Sequence, residues 1–164
     1  MFDNEWGGAT AYQKIGGVGM WGPWVMNNPY KLDGMEPQGN AECVAIAQAT
    51  LRMPHTSFWR PGVKVLGNGE DRYVDGIRIH GSGIAPGTVI ATFIDGIYPS
   101  KRSGNHVAIY ISQTKDTIKV IDQWMDHKRK APKYPGYRTL PTGGSGLSND
   151  ANAFSVVYTL KEGY

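Results

Sequence analysis

Cys43 is the single cysteine of the chain, and it lies in the stretch 38–48, which reads Q-G-N-A-E-C-V-A-I-A-Q. Helix-forming residues run over 41–52, and Asn40 just before them is a favourable N-cap. The sequence therefore predicts a helix with Cys43 as its third residue. There the unpaired N–H groups and the positive end of the helix dipole stabilise a thiolate, the reactive form of cysteine. Taken alone, the stretch favours a small buried cysteine, and the predicted helix start adds a reason for its thiol to ionise.

A cysteine nucleophile in a hydrolase needs a general base, usually histidine, and a third polar group that orients the imidazole. His106 opens the apolar run H-V-A-I-Y-I, and Asp122 lies near the end of the next run, I-K-V-I-D-Q-W. These runs predict an antiparallel hairpin in which His106 and Asp122 are equally far from its centre near Thr114 and therefore neighbours. Gln123 is the competing third residue. Because side chains alternate along a strand, only one of Asp122 and Gln123 can face the histidine.

Acyl transfer also requires hydrogen-bond donors for the oxyanion of the tetrahedral intermediate. The backbone N–H of Cys43 is one candidate. Gln38 and Asn40 are candidates for a second, side-chain donor, although Asn40 is also the predicted N-cap. The sequence leaves the choice between them open.

Each of these residues also has a structural interpretation. A single cysteine in an apolar run is usually a small buried residue, and Asp122 could simply accept a hydrogen bond from a loop. Cysteine, histidine and aspartate in this order, on elements that meet, favour catalysis over packing. His80 could line a substrate groove, but a surface loop is the simpler interpretation. No His, Cys or carboxylate pair has metal-ligand spacing, so the sequence predicts neither a metal nor a cofactor.

The elements that must position these residues indicate an α+β domain, one buried helix followed by an antiparallel sheet. The lead-in 1–37 is interpreted as irregular, and 126–148, rich in Lys, Pro and Gly, as a long surface loop. No boundary divides the chain, which predicts a single domain over 1–164. Apolar runs predict strands at 63–66, 89–93, 106–111, 117–124 and 154–160.

Composition narrows the class of protein. The 164 residues are 40% hydrophobic and 19% charged, which is typical of a globular chain. A net charge of +3 is too weak to predict nucleic-acid binding but suits an anionic polymer such as a cell wall. No apolar stretch approaches the length of a membrane span, so membrane insertion is not expected. The N-terminal M-F-D-N-E-W-G-G is acidic and lacks an apolar core, so no Sec signal peptide is expected.

The order of motifs G-N-A-E-C-V-A-I-A-Q, A-P-G-T-V-I-A-T-F, G-N-H-V-A-I-Y-I and I-K-V-I-D-Q-W over 38–124 resembles the NlpC/P60 and CHAP papain-like cysteine peptidases. Within them it is most similar to the second family of type VI secretion amidase effectors and its domesticated relatives. The resemblance implies a papain-like fold with an N-terminal helix that carries the cysteine and packs on a small antiparallel sheet. It also implies Cys43 as nucleophile, His106 as base and Asp122 as the orienting residue.

The same resemblance implies cleavage of amide bonds in peptidoglycan stem peptides, with the crosslink between D-alanine and meso-diaminopimelate as the favoured bond. The expected partners are those stem peptides, the secretion apparatus and a cognate immunity protein. The expected site of action is the periplasm of target bacteria. The alternatives are a non-catalytic wall-binding module of the same fold and a thiol acyltransferase. The basic run 126–133 is either a solvated loop or a guide for the anionic wall.

Overall fold

A computed structural model describes residues 4–68, 72–79, 84–99, 101 and 104–163. Within these ranges the chain forms one α-helix and four short 3₁₀ helices, and no helix there is long and apolar enough to cross a bilayer. The helix is α1 (Ala45–Leu51), and the 3₁₀ helices are Pro29–Leu32, Thr56–Phe58, Leu147–Asn149 and Ala151–Ala153. The strands are β1 (Gly7–Ala9), β2 (Tyr12–Ile15), β3 (Val18–Trp21), β4 (Trp24–Met26), β5 (Trp59–Lys64), β6 (Arg72–Val74), β7 (Ile77–Ile79), β8 (Val89–Thr92), β9 (Val107–Gln113), β10 (Thr117–Asp126), β11 (Ala131–Pro141) and β12 (Phe154–Thr159).

Most of these strands join one antiparallel sheet. Its order is β11-β10-β9-β8-β12-β3-β2, and β5 pairs with β12 outside this path. Two further pairs, β1 with β4 and β6 with β7, form separate two-stranded ladders. A mostly antiparallel sheet with one helix confirms the predicted α+β class.

The central strands are covered on both faces, which explains their nearly continuous apolar sequences. Ile121 of β10 packs in the same cluster as Ile46 of α1, whereas its neighbour Val120 packs in the opposite cluster with Phe154. This division follows the alternation of side chains along a strand. A polar side chain at this part of the sheet is therefore buried whichever face it occupies.

Strands β9 and β10 form the predicted hairpin. Ile109 pairs with Ile121 in an antiparallel register, and the ladder extends towards the turn after β9. The hairpin brings the residue that precedes β9, His106, to the part of β10 that holds Asp122. The prediction of neighbouring strands is confirmed.

The helix predicted over 41–52 begins later, at Ala45. Ala41 has a φ of 69°, a left-handed conformation that a right-handed helix excludes. Asn40 is therefore not the N-cap, and its side-chain oxygen instead accepts the backbone N–H two residues on, at 3.1 Å. Cys43 precedes α1 by two residues instead of lying third within it. The expected N-terminal helix that carries the cysteine is wrong on both counts, because four strands also precede α1.

The interpretation of residues 1–37 as irregular is also wrong for the part that the structure describes. Strands β1–β4 lie there, and β3 reaches the main sheet where Trp21 pairs with Thr159. Trp24 and Met26 are buried in the core. Strands of three or four residues separated by Gly and Pro are too short to show a periodic pattern.

The predicted loop 126–148 contains β11, which pairs along almost the whole length of β10. Three of its residues are prolines: Pro132, Pro135 and Pro141. Proline in a strand is tolerated at the edge of a sheet, and β11 is an edge strand. Its prolines conceal this strand in the sequence.

Candidate active site

The loop that leads into α1 is held by the side chain of Gln123. This side chain is fully buried, and its Oε1 accepts the backbone N–H of Gln38 at 2.8 Å. Its Nε2 donates to the carbonyls of Gln38 and Glu42, both at 2.9 Å. A buried amide that uses both donors and its acceptor fixes the backbone around it. Gln123 thus positions the loop next to Cys43, on the opposite face of β10 from Asp122.

Gly39 allows the same loop to lie against the helix. It has a φ of 56°, and a Cβ built on it would come within 2.9 Å of the Cβ of Ala45. Any side chain at this position would strain the backbone and push the loop away from α1.

His106 lies just before β9 with its ring buried and firmly held. Its Nε2 is 2.7 Å from Oδ2 of Asp122, and its backbone N–H donates to Oγ1 of Thr92 at 2.9 Å. Phe154 and Trp124 meet the ring nearly edge-on, each with a centroid distance of 6.3 Å. Because the carboxylate occupies Nε2, Nδ1 is the ring nitrogen that can exchange a proton with a thiol.

Arg138 of β11 completes this cluster, and the sequence interpretation missed it. Its Nε lies 3.1 and 2.9 Å from the two carboxylate oxygens of Asp122, and its Nη2 lies 2.7 Å from Oδ2. The guanidinium stacks on Trp124 at 4.7 Å, and Nη1 donates to Asn149 at 3.1 Å. A carboxylate in an apolar strand needs a hydrogen-bonded partner, so Asp122 itself was a signal that a cation lies nearby.

The electrostatics favour a thiolate and an imidazolium. Burial opposes ionisation of Cys43, but the hydrogen bond and positive charge of His106 outweigh it, aided by the N–H of Val107, so the pKa of Cys43 lies below its ordinary value. Burial also opposes protonation of His106, yet the hydrogen bonds and charges of Asp122 and Cys43 raise the pKa of His106 to about 9. A lowered thiol pKa beside a raised imidazole pKa favours the ion pair of thiolate and imidazolium as the resting state.

Asp122 stays ionised although it is fully buried. Burial alone would raise the pKa of Asp122, but the hydrogen bonds and positive charges of His106 and Arg138 hold it below its usual range. The carboxylate can therefore stabilise the imidazolium without taking its proton.

Two cavities meet at Cys43, which is partly exposed and therefore borders an open cleft. One has a volume of about 450 Å³ and is lined by Glu42, Cys43, Val44, Gln48, His55, Thr56, Tyr98, Lys101, Asn105 and His127. The other has a volume of about 350 Å³ and is lined by Glu42, Cys43, Gly104, Asn105, His106, Trp124, Met125, His127, Arg138, Ser148 and Asn149. Cleft space on both sides of a nucleophile can hold a chain that continues beyond the bond under attack.

The structure does not bring Gln38 or Asn40 to the sulfur. The side-chain nitrogen of Gln38 donates to a carbonyl two residues earlier at 3.1 Å, and the oxygen of Asn40 is used in the turn before α1. Neither residue lines either cavity. Tyr98 is placed there instead, with its hydroxyl 3.9 Å from Sγ of Cys43.

The remaining histidines have separate positions. His127 lies 3.2 Å from a carboxylate oxygen of Glu42 and lines both cavities, and His55 lines the larger one. His80 lies outside the described residues. Among the residues that the structure does describe, no group of three His, Cys, Asp or Glu side chains could hold a metal ion.

The lowered pKa of Cys43 predicts that its alkylation extends to lower pH than that of a free thiol. Because the thiolate persists below the ordinary thiol value, the rate of reaction with iodoacetamide should reach half its maximum below the pH of about 8.5 for a free thiol. The measurement is the alkylation rate as a function of pH, with the urea-unfolded chain as the control. A folded protein that titrates together with the unfolded one would contradict the ion pair.

Comparisons with known proteins identify the family of the chain. The family described as Domesticated amidase effector 2 matches residues 23–157. A type VI secretion amidase effector 2 protein of Salmonella typhi is 35% identical over 144 residues, covering 82% of this chain and 98% of that protein. The solved structure of type 6 secretion amidase effector 2 (Tae2) superposes with a TM-score of 0.66 at 33% identity, covering 83% of this chain and 94% of that one. Membership of the wider NlpC/P60 and CHAP superfamily stays a prediction. The chain belongs to the domesticated amidase effector 2 family and is homologous to type VI secretion amidase effectors.

Proposed function

We propose that this protein is a peptidoglycan amidase that hydrolyses stem-peptide amide bonds by a Cys43–His106–Asp122 mechanism. The observation that carries the proposal is the buried hydrogen bond of 2.7 Å between His106 and Asp122 beside a cysteine that borders an open cleft. The family supports the amidase activity. The favoured bond is the crosslink between D-alanine and meso-diaminopimelate.

Acylation begins with the thiolate of Cys43. Sγ attacks the carbonyl carbon of the scissile amide and forms a C–S bond, and the oxygen becomes an oxyanion. Collapse of this intermediate breaks the C–N bond, and Nδ1 of His106 gives its proton to the departing amine. The products of this half are a free amine and a thioester on Cys43.

Deacylation returns the site to its resting state. His106, now neutral, takes a proton from a water that attacks the thioester carbonyl. The C–S bond then breaks, the acid product leaves, and the ion pair of Cys43 and His106 forms again. Asp122 holds the imidazole in one orientation throughout and stabilises its charged form.

The cleft suits a peptide within an anionic wall. Its lining combines apolar surface with polar side chains such as Gln48 and Asn105, and Lys101 adds a positive charge to the larger cavity. The turn between β10 and β11, which begins beside the cleft residue His127, carries exposed Lys128, Arg129 and Lys130. Clustered positive charge raises the rate of encounter with an anionic polymer.

The proposed setting extends the delivery that type VI secretion effectors imply. The protein would be delivered through the type VI secretion apparatus and act as an antibacterial toxin in the periplasm of target cells. A producing cell would then need an immunity protein that blocks the cleft. The chain would act as one catalytic domain over 1–164.

Digestion of purified sacculi tests the proposal. Wild-type protein should convert crosslinked muropeptides into monomers with new D-alanine carboxylates and free diaminopimelate amines, measured by chromatography and mass spectrometry, with boiled protein as the control. Release of monomers with other new termini would keep the amidase and reject the favoured bond. Binding without cleavage would support the wall-binding alternative, and adducts with an added amine would support the acyltransferase.

A further inference from the structure

Tyr98 is a buried residue whose polar end reaches the cleft. Only 5% of its surface is exposed, and its ring packs between Trp59 and Phe93 with centroid distances of 5.5 and 6.4 Å. The segment that holds it is closed by reciprocal hydrogen bonds between Ile94 and Ile97. The ring is therefore fixed, and the position of its hydroxyl is set by packing.

The hydroxyl lies between Cys43 and Asn105. It is 3.9 Å from Sγ of Cys43, and it accepts a hydrogen bond from Nδ2 of Asn105 at 2.9 Å. Because Asn105 supplies a proton to the hydroxyl oxygen, the tyrosine's own proton is directed elsewhere. The larger cavity and the sulfur are the neighbours that remain on that side.

The hydroxyl keeps its proton during the reaction. Burial and the negative charge of Cys43 both raise the pKa of Tyr98 well above its ordinary value. Tyr98 is therefore neither a base nor an acid for this chemistry. It is a neutral hydrogen-bond donor with a fixed direction.

Acyl transfer at Cys43 needs such a donor for the oxyanion. The two side chains that the sequence offered for this role, Gln38 and Asn40, do not line the cleft. An oxyanion donor works at about 2.7–3.1 Å from the oxygen of the tetrahedral intermediate. The Tyr98 hydroxyl lies 3.9 Å from Sγ. When Sγ bonds to the carbonyl carbon of the substrate, the oxygen on that carbon can lie within hydrogen-bond distance of this hydroxyl.

Resting on the function proposed above, we propose that the Tyr98 hydroxyl donates a hydrogen bond to the oxyanion of the intermediate on Cys43. Asn105 is the positioning residue that aims this hydroxyl. No proton is transferred: the O–H bond of Tyr98 stays intact while the C–S bond forms and later breaks.

Asn105 carries a second sign of a ligand at this place. Its Oδ1 is buried and has no hydrogen-bond partner among the described residues, and the residue lines both cavities. A buried acceptor without a partner is costly, and an N–H of a bound peptide would satisfy it. A peptide held in this way would present its neighbouring carbonyl to Cys43 and Tyr98.

The variant Tyr98→Phe tests the role, because it removes the hydroxyl and keeps the packed ring. Acylation of Cys43 by p-nitrophenyl acetate passes through an oxyanion and should fall about 100-fold, in the range seen for loss of one oxyanion donor. Alkylation by iodoacetamide forms no oxyanion and should change less than about twofold, because His106 dominates the thiolate's stabilisation. Tyr30→Phe, at an exposed position, is the matched control and should alter neither rate.

Equal losses in acylation and alkylation would overturn the proposal, since Tyr98 would then serve the thiolate or the fold. No loss of acylation would overturn it as well. Asn105→Ala is the second variant and should slow acylation about 10-fold with unchanged alkylation, whether or not Tyr98→Phe folds well. Acylation by p-nitrophenyl acetate does not require peptidoglycan. A wild-type protein that this ester acylates but that leaves sacculi intact would therefore refute the proposed amidase function without refuting the role of Tyr98.

Discussion

Cys43→Ala and His106→Ala should each leave crosslinked muropeptides in sacculi essentially intact, with turnover reduced on the order of 10⁵-fold or more. Cys43 forms the covalent bond, and no other cysteine exists in the chain to replace it. His106 supplies the thiolate's counter-ion and both proton transfers. The measurement is the initial rate of monomer release, with enzyme concentration raised until background hydrolysis sets the limit.

The double variant should be no slower than either single variant. Residues that act as one unit give strongly non-additive losses, because removing one member already disables the others. Separate multiplicative losses would indicate that the two residues contribute independently, which would contradict the proposed mechanism.

The single variants Cys43→Ala and His106→Ala should both remain folded, so a loss of activity can be assigned to the chemistry. Cys43 is partly exposed, and its replacement removes one atom. His106→Ala leaves Asp122 with its three contacts to Arg138, so the buried carboxylate keeps a charged partner. Exogenous imidazole entering through the adjacent cavity should restore some turnover to His106→Ala and none to Cys43→Ala. Thermal unfolding of each variant is the control.

The pairing of His106 with Asp122 could be predicted because it depends on local rules. Two apolar runs of similar length around a short turn predict a hairpin, and the hairpin determines which residues are neighbours. Alternation then separates Asp122 from Gln123, and the structure places them on opposite faces as expected. The role of Gln123 could not be predicted, because its partners at Gln38 and Glu42 are about 80 residues away in the sequence.

The sequence predicted that a helix start stabilises the thiolate of Cys43, and the structure shows a different cause. Helix propensity over 41–52 placed the sulfur at a helix start, where the dipole would stabilise the thiolate. Ala41 has a left-handed backbone conformation, so the helix begins only at Ala45. Helix propensity does not include the tertiary contacts that impose such a conformation. His106 makes the largest contribution to stabilising the thiolate in the structure.

Arg138 and Tyr98 were missed for a common reason. Arg138 lies on an edge strand whose three prolines are typical of a loop, and Tyr98 directly follows a turn after β8. Neither stands in a periodic pattern. The physical signal for Arg138 was the isolated carboxylate of Asp122, whereas the position of Tyr98 depends on packing against Trp59 and Phe93.

Asp122→Asn is expected to lower turnover on crosslinked muropeptides about 10³- to 10⁴-fold, by analogy with the loss of the aspartate in a serine triad. The amide cannot provide the negative charge that stabilises the imidazolium. It also leaves the guanidinium of Arg138 next to the ring, with Nη2 3.5 Å from Nε2 of His106. The variant therefore turns a stabilising environment into a repulsive one.

The pH profile of kcat/KM should also change in Asp122→Asn, in a direction that follows from the pKa of His106. In the wild type the pKa of His106 is raised to about 9, so the imidazolium is lost only as the pH rises through that value. In Asp122→Asn the pKa of His106 should fall, and the basic limb of kcat/KM should move to lower pH. Cys43 then loses its counter-ion at neutral pH, so its pKa should rise and the acid limb should move to higher pH. The pH range in which the enzyme is active therefore becomes narrower at both its acid and its basic end.

The double variant Asp122→Asn with Arg138→Gln separates charge from geometry. Removing the guanidinium removes the repulsion, so the pKa of His106 and the basic limb should recover part of the way towards the wild type. Turnover should recover less, because the amide still cannot hold the imidazolium as a carboxylate does. A basic limb that stays in place in Asp122→Asn would mean that the charge of Asp122 does not act on His106. The imidazole would then depend on its ring contacts with Trp124 and Phe154 for its orientation.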